Sequence, residues 1–69
     1  MKIEIYVRDI NGKRECLCFD NEEEFSSTDF YNYDDDNYEI LMVVQGGHCI
    51  YSALNNDRIY FEDLIGYFA

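Results

Sequence analysis

Two turn signals, Asn11-Gly12 and Gly46-Gly47, constrain this chain more than anything else in it, because each separates stretches that read as β-strands. A two-residue hairpin turn of type I′ needs positive φ at both central positions, which these residue pairs supply most readily. Before the first turn, Ile3, Ile5 and Val7 alternate with polar residues, the period of a half-buried strand. Pairing about Asn11-Gly12 predicts Arg8 opposite Glu15, Asp9 opposite Arg14, Val7 opposite Cys16 and Ile5 opposite Cys18, so that opposite charges face each other across the strands. Before the second turn, residues 38–45 (YEILMVVQ) form a nearly unbroken apolar run, as expected of a central strand covered on both faces. Its partner strand is predicted to set Val44 against Cys49, Val43 against Ile50 and Met42 against Tyr51. A third turn at Asn55-Asn56 would place Ile50 opposite Phe61 and Tyr51 opposite Tyr60; the other reading starts a helix at Asp57. In both readings Leu64, Ile65 and Phe68 follow Phe61 at helical spacing. The expected fold is α+β: an antiparallel sheet of four to five strands built from hairpins, with a C-terminal amphipathic helix packed on it. Residues 1–69 have room for a single small domain.

Between the two hairpins lies DNEEEFSSTDFYNYDDDNYE, residues 20–39, which gathers nine carboxylates without one Lys or Arg. The gap in positive charge is wider still: from Glu15 to Asp57 there are eleven acidic residues, one His and no fixed cation. Ordinary surfaces mix both signs. Asp20 or Asn21 can cap a short helix through Glu22, Glu23, Glu24 and Phe25, with its acids well placed in the first turn. At most one or two helical turns are expected between residues 21 and 32, then a loop over 33–37. A net charge of -10 works against a compact state through self-repulsion, yet the 48% apolar content is enough for a core. A fold that tolerates this repulsion is expected to use the charge.

Chemistry has little to stand on. His48 is the only histidine and sits beside a hairpin tip; no residue pattern fixes a nucleophilic pair between it and Cys16, Cys18 or Cys49. No enzyme is expected. Cys16, Cys18, His48 and Cys49 are the right ligand types for zinc but lack knuckle spacing, and cysteines more often fill cores as small apolar residues. Asn32, Asp34 and Asp36 recur at calcium-loop spacing, but Asn37 stands where that loop needs Gly and Val43 where it needs Glu. No metal or cofactor is expected. Three cysteines, two of them badly spaced to bond each other, fit a reducing cytoplasm. No apolar run approaches membrane-spanning length, and the negative charge opposes binding to nucleic acid or an anionic membrane. An uncovered sheet edge would be compatible with a homodimer.

What remains is a surface for a basic partner. Tyr31, Tyr33 and Tyr38, interleaved with the acids, suit an interface, while Phe25, Phe30 and Tyr38 could equally anchor the acidic loop to the sheet. The expected partner-binding set is Asp20, Glu22, Glu23, Glu24, Asp29, Tyr31, Tyr33, Asp34, Asp35, Asp36, Tyr38 and Glu39. In size, charge, cysteine-poor α+β make-up and the run DFYNYDDDNYE, the chain resembles the small acidic proteins that phages and mobile elements turn against host defence, anti-CRISPR proteins and other DNA mimics in particular. That resemblance implies a non-enzymatic inhibitor, acting in the host cytoplasm if phage-encoded, that binds a nucleic-acid-binding protein such as a Cas effector and blocks its recognition of DNA. The alternative is an immunity protein or antitoxin that neutralises a basic toxin or nuclease. Imitation of a polynucleotide requires the carboxylates to be held as one fixed surface, clear of the few Lys and Arg.

Overall fold

The structure is a computed structural model that describes residues 1–27, 33–64 and 66. Four strands, β1 (Ile3–Asp9), β2 (Arg14–Phe19), β3 (Tyr38–Gln45) and β4 (His48–Ser52), form one antiparallel sheet in the order β2-β1-β3-β4. Between β2 and β3 lies a short helix, α1 (Glu22–Ser27). Ile3, Ile5 and Val7 of β1, Phe19 of β2, Ile40 and Val43 of β3 and Tyr51 of β4 point to one face. Phe25 of α1, Phe61 and Leu64 close that face into the core, with Leu17, Tyr33, Tyr38 and Ile59 packed around it.

Both glycine turns form hairpins, but the first is not the one predicted. Only Gly12 has positive φ (87°), and Asn11 stays in an ordinary conformation. The loop is Ile10-Asn11-Gly12: the Asp9 N–H donates to the Lys13 carbonyl (2.8 Å), and the Asp9 carboxylate accepts from the N–H groups of Asn11 (2.9 Å) and Lys13 (2.8 Å). A three-residue loop with Gly at its left-handed position is the next commonest hairpin closure. The extra residue slips the register by one, to Ile5↔Leu17, Val7↔Glu15 and Arg8↔Arg14. Because side chains alternate, that slip turns Cys16 and Cys18 away from the core and seats Leu17 and Phe19 in it. The expected Arg8–Glu15 and Asp9–Arg14 pairs are therefore absent from the register, and all three cysteines are exposed rather than core-filling.

At Gly46 (φ 58°) and Gly47 (φ 83°) the type I′ turn forms, with Gln45↔His48 and Val44↔Cys49 as its first pairs. Beyond these a bulge intervenes, so Val43 faces Tyr51 and Met42 faces Ser52, and Ile50 is left over and exposed. A second irregularity, where Tyr6↔Met42 gives way to Val7↔Ile40, lets Ile40 and Val43 both reach the core from positions three apart. A fifth strand is absent among the described residues. The N–H groups of Asn55 and Asn56 both donate to the Ser52 carbonyl (3.1 Å each), and the chain proceeds without regular structure to a 3-10 turn at Phe61–Asp63. There the Tyr60 N–H donates to the Asp63 carboxylate (3.0 Å) instead of to a neighbouring strand. Among the described residues the expected amphipathic C-terminal helix is not shown. Phe61 and Leu64 do enter the core, whereas Ile65 and Phe68 lie outside the described residues.

Candidate acidic surface

The acids fall into two groups at opposite ends of the sheet. Ile3, Phe19 and Gln45 mark one end, Arg8, Arg14 and Glu39 the other, and the rise along β1 from Ile3 to Arg8 is about 17 Å.

At the first end, Asn21 caps α1 by accepting from the Glu24 N–H (2.8 Å), while the Glu24 carboxylate accepts from the Asp20 N–H (2.9 Å). These two bonds fix the entry of a helix too short to be stable alone. Phe25 then anchors it, buried edge-on against Phe19 with ring centroids 5.4 Å apart. Glu22 is held from two sides, by the N-terminal ammonium (3.0 Å) and by the Gln45 amide (2.8 Å), which together lower its carboxyl to about 2. Glu22 therefore ties α1 to the sheet, whereas Asp20 and Glu23 project with no hydrogen bond or ion pair on their carboxylates.

At the second end, Asp34 closes the loop on itself. Its carboxylate accepts from the Asn37 N–H (2.8 Å) and side-chain amide (2.9 Å), and these bonds hold its pKa below the ordinary value. Asp35 accepts from the Phe61 N–H (3.0 Å), docking the C-terminal segment on the loop. The Tyr33 ring stacks obliquely on Tyr38 (4.8 Å) and lies 6.1 Å from Phe61, and its hydroxyl donates to Glu15 (3.3 Å). Two cations turn inward here. Arg8 pairs with Glu39 (3.0 Å), and Arg58 donates to the carbonyls of Asp35 (2.8 Å) and Tyr38 (3.4 Å) while lying over the Tyr60 ring. Asp36 is exposed, with no hydrogen bond or ion pair on its carboxylate. Between this loop and the β1–β2 turn runs a cleft of about 520 Å³, lined by Arg8, Asp9, Ile10, Asp36, Glu39 and Arg58 among others.

The predicted partner-binding set is thus brought together in part. Glu22, Glu24, Asp34, Asp35 and Glu39 are tied into internal bonds; Asp20, Glu23 and Asp36 are presented outward; Tyr33 and Tyr38 are half-buried anchors of the loop. Asp29 and Tyr31 lie outside the described residues, as does Phe30. Exposed Ile10 and Tyr60, which flank the second group, were not singled out by sequence, since a lone apolar residue at a turn carries no pattern. Nor were the bonds of Arg8 to Glu39 and of Arg58 to the Asp35 carbonyl, which span more than 20 residues of the chain.

The other ligand types do not converge. Cys16 and Cys18 lie on one edge strand, His48 and Cys49 on the opposite one, three strand spacings or about 14 Å across the sheet. Among the described residues no group of three or more His, Cys, Asp or Glu side chains could hold a metal ion. Among the same residues, no helix is long and apolar enough to cross a membrane. No protein-family model, curated protein or solved structure matches this chain.

Proposed function

We propose that the chain is a non-enzymatic inhibitor that docks two acidic poles on the basic surface of a nucleic-acid-binding protein, such as a Cas effector, and displaces its DNA. The observation that carries this reading is the division of labour among the carboxylates. Some are spent on capping and loop closure, and these hold Asp20, Glu23 and Asp36 outward on ordered backbone, unneutralised. Fixed geometry lets such charges steer association and match a fixed cationic groove.

The poles do not amount to a phosphate track. Over ~17 Å a DNA duplex carries about ten negative charges. Here the two groups hold eight described carboxylates from residues 20–39, set against Arg8, Arg58 and the N-terminal ammonium. A continuous imitation is thereby weakened, and contact at two points, with Ile10 and Tyr60 supplying apolar area at the second, fits better. Exposed charge pairs give speed more than strength, so affinity needs such anchors.

The test is capture from cells carrying nuclease-based defence systems, at low and high salt, followed by DNA binding of the captured protein with and without this chain. The expected partner is basic, is released by salt and loses DNA when the chain is added. Replacing Asp20, Glu23 and Asp36 together (Asp20→Asn, Glu23→Gln, Asp36→Asn) should weaken capture about 10- to 100-fold and flatten its salt dependence. Capture of a small cognate toxin would favour the immunity-protein reading. A partner that keeps its DNA, or capture indifferent to both salt and the triple substitution, would overturn the proposal.

A further inference from the structure

Cys16 and Cys18 take no part in either acidic pole. Both are exposed on edge strand β2, on the outer face of the sheet opposite Tyr6 and Glu4, and their sulfurs lie 3.5 Å apart. Same-face neighbours on a strand have Cα atoms ~6.6–6.8 Å apart, the upper limit of what a disulfide spans, and the bond also needs Cβ atoms ~3.8 Å apart. Closing a disulfide would therefore bend β2 away from β1. A bridging atom removes that demand. With bonds of ~2.3 Å to each sulfur, an inter-bond angle between a right angle and the tetrahedral value spans ~3.3–3.8 Å, whereas a linear two-sulfur centre needs ~4.6 Å. The observed separation falls in the first range.

We propose that Cys16 and Cys18 form a dithiol site for a trivalent, thiophilic metalloid, the ligand class being an aryl arsenical, R–As=O. Two As–S bonds form, the As=O bond breaks, and the two thiol protons leave with that oxygen as one water. Arsenic stays trivalent and keeps R, so no oxidant and no third protein ligand is required. This agrees with the lack of any three-ligand group among the described residues. Partial burial of its sulfur and the neighbouring Cys18 thiol push the Cys16 thiol above its ordinary pKa. Cys16 thus favours its protonated thiol, the form that the condensation consumes, and disulfide exchange driven by its thiolate is slowed.

The class of R follows from the surroundings. Beside Cys16 the outer face opens into a groove of about 670 Å³ lined by Tyr6, Leu41, Met42 and Leu54 among others. Tyr6 pairs with Cys16 on one side and Met42 on the other, so a ring carried by the arsenic reaches an aromatic and a thioether surface. Leu54, 94% exposed, forms the outer rim.

Phenylarsine oxide and methylarsine oxide, added to the intact chain and followed by mass spectrometry and thiol counting, test this. One phenylarsine oxide should bind per chain, consume two of three thiols, resist excess monothiol and be released by a competing dithiol. Cys16→Ser and Cys18→Ser should each lower apparent affinity by about 10²–10⁴-fold, since the second As–S bond forms intramolecularly; Cys49→Ser should not. The phenyl compound should bind more tightly than the methyl one, and Tyr6→Ala should shrink that difference. All these residues are at least partly exposed, and melting curves verify that each variant folds. An adduct that needs Cys49, or that survives loss of either Cys16 or Cys18, would overturn the site; equal affinity for the two arsenicals would overturn the choice of an aryl group. Isolation of a Cys16–Cys18 disulfide without added oxidant would overturn the argument that β2 holds the two apart.

Discussion

Glu22 shows how one residue can be both part of a charge cluster and unavailable to a partner. Its carboxylate joins the N-terminal ammonium and Gln45, and those two bonds lower it to about 2 from an ordinary 4.5. A carboxyl with a depressed folded-state pKa stabilises the fold fully above its unfolded value and loses that contribution as pH falls through the folded one. Glu22 therefore supports the fold above about pH 4.5 and ceases to do so towards pH 2. Asp34, lowered by its bonds to Asn37, acts in the same direction. Acid titration of the melting temperature should show a fall across this window that is shallower in Glu22→Gln, whose stability at neutral pH is reduced to begin with. A parallel shift of the whole curve, with the slope unchanged, would mean that the Glu22 bonds do not persist in solution. For the same reason Asp34 and Asp35 are poor positions at which to probe partner binding: replacing either disturbs the loop it holds.

At the scale of elements, the sequence was legible where a local rule had no close competitor. The Gly46-Gly47 turn, the alternating β1 face, the Asn21 cap and the brevity of α1 all follow from residues within a few positions of one another. The β1–β2 register failed because Asn-Gly serves two loops. In a two-residue turn Asn11 needs positive φ; in the observed loop only Gly12 does, and Asp9 supplies the side-chain bonds that favour it. The two bulges beside β3 and the course of residues 53–60 were illegible because they answer to the filling of the core, which depends on all strands at once. The Arg8–Glu39 ion pair and the hydrogen bond from Arg58 to the Asp35 carbonyl share that long-range origin. The loop assignment makes a discriminating prediction. Gly12→Ala should cost about 1–2 kcal/mol in unfolding experiments for placing a Cβ in a left-handed conformation, although nothing crowds that Cβ. Asn11→Ala should be near neutral. Comparable losses at both positions would restore the type I′ turn and the opposite register.

For the whole molecule, the deciding comparison is between a few short attractions and one long-range repulsion. Four ion pairs join the described residues, all with at least partly exposed side chains, and such pairs contribute little. Against them stands a net charge of -10 within a body of 30 × 27 × 19 Å. At ~0.01 M salt the screening length is about 30 Å, so every carboxylate acts on every other; at ~0.15 M it is about 8 Å, and the two poles, ~17 Å apart, no longer act on each other appreciably. Added salt thus removes most of the repulsion while short contacts lose less. Melting temperature should rise from low to physiological salt, by about 4–8 °C for each kcal/mol of repulsion relieved in a domain of this size. Partner binding through the poles runs the other way, since the same ions screen attraction to a basic groove. The two measurements made on one preparation should therefore move with opposite sign. A fold that loses stability as salt is added would show that the ion pairs outweigh the repulsion, and the acids would then no longer be a cost that needs a partner to explain it.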